Sequence, residues 1–254
     1  MIKSKNLTLN RSSKNIVNNI NYVLNPGITS IIGPNGAGKT TLIKCLSGLI
    51  KDFEGSIEFK NKNLLSYKSK EIARLRAFAS QSNEVSFPFS VKEIVSMGRY
   101  SFTDIMSEHE NEKIVKDVID HFFISHLSKQ NFNTLSGGEK QRVQLARIFS
   151  QIWEIKEGLL FLDEPISALD FNYQVKLFKL IKNKISTHNW SVVIVLHDLQ
   201  VASKFSNNII LMKDGIIFDH GHPENVLSES NLLNVYETPI KIIKTDDLNI
   251  YSIF

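Results

Sequence analysis

The stretch Gly33-Pro34-Asn35-Gly36-Ala37-Gly38-Lys39-Thr40-Thr41 spells G-x-x-x-x-G-K-T, and its flanks decide how it is read. Before it, Ile28-Thr29-Ser30-Ile31-Ile32 is a short, mostly apolar run that predicts a buried strand. After it, Leu42, Cys45, Leu46 and Leu49 recur at helical spacing. Strand, glycine-rich loop and helix in that order make a phosphate-binding loop. Glycines let the backbone turn its N–H groups toward phosphate oxygens, and the helix N-terminus adds a favourable dipole. Lys39 is expected to reach the β- and γ-phosphates of a nucleoside triphosphate, and the Thr40 hydroxyl to join a Mg²⁺ shell. The loop alone specifies nucleotide binding and no more, since kinases, GTPases and transport ATPases share it.

Working outward, 254 residues suffice for one α/β domain with an insertion or for two small domains. The net charge of +4 is spread among mixed-sign residues, so no basic stripe points to nucleic acid. A single cysteine, Cys45, allows no internal disulfide and suits a reducing compartment; its place on the apolar face of the helix predicts packing rather than reactivity. The polar opening MIKSKNLTLNRSSKN lacks the apolar core of a secretory signal. The longest apolar runs, Leu159–Leu162 and Val192–Leu196, fall far short of the ~20 residues that cross a bilayer, so any membrane role is expected to be peripheral.

Residues 2 to 9 and about 16 to 24 alternate polar and apolar side chains and predict an antiparallel pair ending at Asn25-Pro26-Gly27. Short strands are predicted at 55–59 and 77–81, with a basic helical stretch at 68–76 between them. From Ser90 the period turns helical, and Ser90 with Glu93, Ser107 with Glu110 and Ser136 with Glu139 form three capping boxes, marking a helical region over about 90–153. Leu159–Leu162 and Val192–Leu196 read as buried parallel strands around a helix over 171–186, and Lys213-Asp214-Gly215 as a hairpin turn between two more strands. His220 and His222 offer two imidazoles beside Gly221 and Pro223, a turn rather than a complete metal site. The expected fold is α/β: a phosphate-loop sheet with an N-terminal antiparallel β subdomain and an inserted α-helical subdomain. One domain spans 1–254, with its core at 1–89 and 154–254.

Two further stretches carry chemistry. Asp163 and Glu164 end an apolar strand, at the carboxyl end where open α/β sheets place their ligands. The first can hold Mg²⁺ and the second can orient and deprotonate the water that attacks a γ-phosphate. Leu135-Ser136-Gly137-Gly138-Glu139-Lys140-Gln141-Arg142 is an N-capped helix start whose glycines leave backbone N–H groups uncovered, a second anion surface with the Ser136 hydroxyl as a further donor. If the two phosphate surfaces cannot meet within one chain, two chains must face head to tail.

With these motifs in this order the chain resembles the ATP-binding cassette family along nearly its whole length. The resemblance implies that Gly33 to Thr41 is a Walker A loop for ATP and Mg²⁺ and that Gln81 is the Q-loop glutamine sensing Mg²⁺ and the attacking water. It further implies that Ser136, Gly137, Gly138 and Glu139 form the signature that completes the site of a second copy, with Glu139 where many members carry Gln. Leu159 to Glu164 matches Walker B, with Glu164 as catalytic carboxylate; Ser167-Ala168-Leu169-Asp170 matches the D-loop, and His197 the switch histidine on the γ-phosphate. Arg11 stands where the family often has an aromatic residue for adenine, and its guanidinium plane can also lie on a ring. Ile166 stands where a threonine is usual.

Within the family, Ser86 to Arg99 resembles the segment after the Q-loop in importers of iron chelates, cobalamin and haem, and Val143 to Glu154 is similar to subunits that import haemin. The resemblance therefore implies a homodimeric ATPase at the cytoplasmic face of a bacterial inner membrane. It would couple hydrolysis to permease subunits and, indirectly, to a periplasmic haem-binding protein, with no direct cargo contact and no nucleic acid. A ferric-siderophore or cobalamin importer is the alternative, and a soluble non-transport cassette ATPase a different class. Phe87 and Phe89 are candidates for the wall of a permease groove, or for local packing.

Overall fold

Alternating side chains over the first two dozen residues produce β1 (Ile2–Arg11) and β2 (Lys14–Leu24), antiparallel from Ile2 opposite Leu24 to Arg11 opposite Lys14. Their inward positions, Ile2, Leu7, Leu9, Val17, Ile20 and Leu24, are buried. The computed structural model describes residues 1–11, 14–80, 87–244 and 249–253. Every residue of β3 (Gly27–Ile32) is buried, as the apolar run predicts.

The helix after the glycine-rich loop, α1 (Lys39–Leu46), is shorter than the spacing suggests. Gly48, at φ 70°, ends it, and Leu49 lies beyond it, 49% exposed rather than on the buried face. Cys45 is fully buried within α1, and burial pushes its thiol up to about 12, so it packs rather than reacts. Strands β4 (Glu54–Phe59) and β5 (Lys62–Asn63) then turn about Lys60 and Asn61, both at positive φ, and the sheet order is β2-β1-β4-β5.

The chain forms two compact units, Met1–Tyr67 with Ser191–Phe254, and Lys68–Trp190. The second opens with α2 (Ser69–Leu75) and β6 (Arg76–Ala79), then three helices, α3 (Val91–Met97), α4 (Glu108–His121) and α5 (Gly137–Ile152). All three predicted capping boxes are present at their N-termini. The stripe Ile114, Val115, Val118, Ile119 and Phe122 is buried, which makes it core. Strand β7 (Leu159–Asp163) runs parallel to β6, from Arg76 opposite Leu159 to Ala79 opposite Leu162, and is buried along its length. After it, α6 (Phe171–His188) ends at Asn189 in the left-handed conformation.

A polar knot ties the ends of this unit's helices together. The Lys184 ammonium donates to the Trp153 carbonyl at 2.8 Å and lies 3.5 Å from the Trp153 ring centroid. The two indoles donate to Asp117 and to the Ile155 carbonyl. Burial lowers the Lys184 ammonium to about 8, against the pull of Asp117 and Glu154.

Returning to the first unit, the chain adds β8 (Ser191–Val195), α7 (Leu199–Phe205), β9 (Asn208–Lys213) and β10 (Ile216–Gly221). It closes with α8 (Pro223–Val226), α9 (Glu229–Tyr236) and the hairpin β11 (Ile240–Lys244) with β12 (Asn249–Ile253). Strand β3 lies between β8 and β9 and is parallel to both, while β10 pairs antiparallel to β9 across the predicted Asp-Gly turn. Patterning does not predict the last hairpin; the Ile242 N–H on β11 is satisfied by the Glu229 carboxylate of α9 at 2.9 Å.

Candidate nucleotide site

Strand β3 delivers the chain into the loop 33–41 in a conformation that other residues enforce. Gly33 has φ 147°, and a Cβ there would lie 2.2 Å from the Met212 carbonyl of β9. Gly38 has φ 94°, and a Cβ there would lie 2.4 Å from the Ile16 carbonyl of β2. Only glycine fits either position. The loop is also clasped through its backbone, since the Gly215 N–H donates to the Ala37 carbonyl at 3.1 Å and the Asn18 N–H to the Gly215 carbonyl at 2.8 Å. Pro34 is half-buried, Asn35 and Gly36 form the exposed tip, and Ala37 is buried.

Lys39 opens α1 and is 7% exposed; its ammonium donates to the carbonyls of Gly33 at 2.8 Å and Pro34 at 2.9 Å. The N-cap of α1 is Gly38, with no side-chain cap and no acidic residue in the first turn. That leaves the first-turn N–H groups, with the Thr40 and Thr41 side chains half-buried beside them, suited to an anion. Beyond β8, the Leu196 N–H donates to the Ile31 carbonyl at 3.1 Å, so the chain carrying His197 leaves alongside the chain that enters the loop. His197 is exposed, and the next residue, Asp198, caps α7.

The second unit assembles the other predicted group. Asp163 ends β7 and is 4% exposed. Glu164 takes φ 52°, an uncommon conformation for a side chain of its size, held by neighbours: the Ser167 hydroxyl bonds its carbonyl and Gln141 of α5 bonds the Pro165 carbonyl at 2.9 Å. Asp170 caps α6 by accepting from the Tyr173 N–H at 3.0 Å. The stretch Ser167–Asp170 packs against the start of α5 within this unit, since a Cβ on Gly138 would sit 3.3 Å from the Ala168 carbonyl. A Cβ on Gly137 would meet nothing within 4 Å.

The Ser136 hydroxyl is engaged, donating to the Glu139 carboxylate at 2.6 Å, and that contact together with the Ser136 N–H holds the Glu139 carboxyl below its ordinary value. A formal negative charge therefore stands at the edge of this helix N-terminus. Gln81 lies outside the described residues. Phe87 is 68% exposed, Phe89 half-buried, and their rings are 6.1 Å apart. His220 packs edge-on to Tyr22.

Sequence reasoning missed the buttresses: Ile16, Met212 and the Gly215 N–H. A hairpin turn was legible at Lys213-Asp214-Gly215, and nothing in it signals that the turn would brace the loop.

A family model for ABC transporter matches residues 17–167. The chain belongs to the ABC transporter family. As an ABC cassette it binds and hydrolyses ATP, and its α/β fold is that of the family's ATPases. It is 35% identical over 247 residues to the Hemin import ATP-binding protein HmuV of Escherichia coli O157:H7, covering 96% of this chain and 95% of that one. It is similar to a metal-chelate type ABC transporter in an inward-facing conformation, with TM-score 0.80, 27% identity, and coverage of 100% of this chain and 96% of that chain. It is also similar to the dimeric, post-hydrolysis ATP-binding cassette MJ0796 bound to ADP and Pi, with TM-score 0.75, 25% identity, and coverage of 88% and 99%. Among the described residues of this cassette no helix is long and apolar enough to cross a membrane.

Proposed function

We propose that this cassette is the energy-coupling ATPase of a bacterial haemin importer, acting as a homodimer bound to permease subunits at the cytoplasmic face of the inner membrane. A periplasmic haem-binding protein would deliver the cargo, which does not touch this subunit. The whole chain is one ATP-binding domain, with a core of residues 1–89 and 154–254 and a helical subdomain of about 90–153. The supporting observation is that one chain carries two glycine-opened helix N-termini, at Lys39 and at Gly137, while its near-full-length relative is named for hemin import.

In this reading ATP lies between Gly33–Thr41 of one copy and Ser136–Gly138 of the other, with Asp170 near the same interface. Lys39 holds the β- and γ-phosphates. Glu164 orients and deprotonates the attacking water, and His197 contacts the γ-phosphate. The Thr40 hydroxyl, the Asp163 carboxylate and the Gln81 amide are all hard oxygen donors, which fits Mg²⁺. The ion would supply charge neutralisation of the phosphates when bound. ATP binding closes the dimer and hydrolysis reopens it.

Glu164→Gln should keep ATP binding and hold a dimer while turnover falls by about 10²–10⁴-fold; wild-type turnover would remove Glu164 from the role of base. For cargo, the co-purified permease complex in vesicles should show ATPase stimulated by haemin. The metal-chelate type title of one structural relative favours a second reading, and stimulation by a ferric siderophore or cobalamin instead of haemin would establish it.

A further inference from the structure

Glu164 stands at the head of a turn that the start of α5 holds from the side. Its φ of 52° lies in the left-handed region, and its carbonyl accepts from the Ser167 hydroxyl at 3.2 Å. The next carbonyl, that of Pro165, accepts from the Gln141 side-chain amide at 2.9 Å. Between these two carbonyls the pyrrolidine ring fixes φ of Pro165, so few torsions stay free once both are held. Gln141 follows Gly137 and Gly138 by four and three positions, which puts it on the same face of α5, one turn deeper. The chain after the turn meets α5 a second time, since a Cβ on Gly138 would lie 3.3 Å from the Ala168 carbonyl. The two contacts differ in kind. Packing at Ala168 resists approach alone, whereas the Gln141 hydrogen bond also resists separation.

We propose that Gln141 is a positioning residue for hydrolysis, its amide tying the turn that carries Glu164 to the helix start that presents Gly137 and Gly138. The inference rests on the proposed dimer with Glu164 as base. In that dimer the start of α5 meets the partner's nucleotide, while Glu164 serves the nucleotide of its own copy. One hydrogen bond then carries the seating of α5 at one site to the base of the other. A carbonyl oxygen can only accept, so the link needs a donor at position 141. Without that donor the Pro165 carbonyl must find another partner, and the turn settles with Glu164 displaced. A displaced base slows the chemical step and leaves the grip on the phosphates, which belongs to residues 33–41, as it was.

Gln141→Met in the full-length chain tests this, because it keeps an unbranched side chain of similar length and removes the donor. Expected are a kcat about tenfold lower, an unchanged Kd for ATP, and a melting temperature close to the wild type. Gln141→Lys, which puts a donor back, should recover most of the lost kcat. Gln141→Met combined with Glu164→Gln should retain ATP and the dimer as Glu164→Gln does, since the helix start that meets the partner's nucleotide is intact. A wild-type kcat in Gln141→Met would overturn the inference, and no recovery in Gln141→Lys would reduce the residue to packing. Loss of retained ATP in the double variant would overturn it too, by assigning Gln141 to the partner's site. Glu164→Gln alone is the companion: full turnover there brings down the reading of Glu164 as base, whereas lost turnover there beside wild-type kcat in Gln141→Met refutes only the role of Gln141.

Discussion

At the scale of single residues, the site depends on backbone positions that tolerate no side chain and on one charge that is out of keeping with its neighbours. Gly38→Ala would force a β-carbon to 2.4 Å from the Ile16 carbonyl in a conformation alanine avoids, and ATP affinity should fall at least about tenfold in a titration with fluorescent nucleotide. Glu139 is the residue out of keeping. Its carboxyl is held below the usual range by the Ser136 hydroxyl and amide, so it is charged at neutral pH beside the surface that should receive a γ-phosphate. Glutamine at this position keeps an oxygen for the capping box and removes the charge. Glu139→Gln should lower KM for ATP about two- to threefold, the direction expected for removing a screened like charge; an unchanged KM would separate Ser136 from the nucleotide.

At the scale of elements, helix ends were the most legible features and helix interiors the least distinctive. Serine three residues before glutamate announced α3, α4 and α5, because a capping box is a local device whose partners are adjacent in sequence. The knot of Lys184, Trp153, Trp190 and Asp117 could not be foreseen, since each member reads as an ordinary helix or turn residue until folding brings them together. It carries a pH signature. The folded-state pKa of Lys184, about 8, lies below its ordinary value of 10.5, so between those limits the unfolded chain holds the extra proton and stability rises with pH. Asp117 and Glu154 oppose the shift, and His188 shares the cluster. Melting of the wild type should rise by about 2–4 °C from pH 8 to pH 10, and Lys184→Met should lose that rise; a parallel slope in both proteins would mean that another group titrates.

At the scale of the whole molecule, the proposed dimer makes a prediction that no property of one chain can mimic. Lys39→Ala disables the loop side and Gly138→Asp the signature side, so neither variant alone should retain ATP. Mixed in a Glu164→Gln background, pairs of unlike copies contain one site with both faces intact. These pairs should hold about one ATP through gel filtration, half the occupancy of the doubly competent dimer. Absence of any retained nucleotide would show that both faces act within one chain.

Read alone, the sequence determined the order of the parts: a glycine-rich loop between strand and helix, a carboxylate pair at a strand end, a glycine-opened helix start, and the α/β class with its helical insert. These are local patterns, written in neighbouring residues, and local geometry follows from them directly. Only the tertiary structure decided what holds Gly33 and Gly38 at positive φ, and that the Asp-Gly turn braces the loop through Ala37. The reason is physical: backbone carbonyls and N–H groups are the same in every residue, so contacts made through them leave no mark on the sequence that makes them.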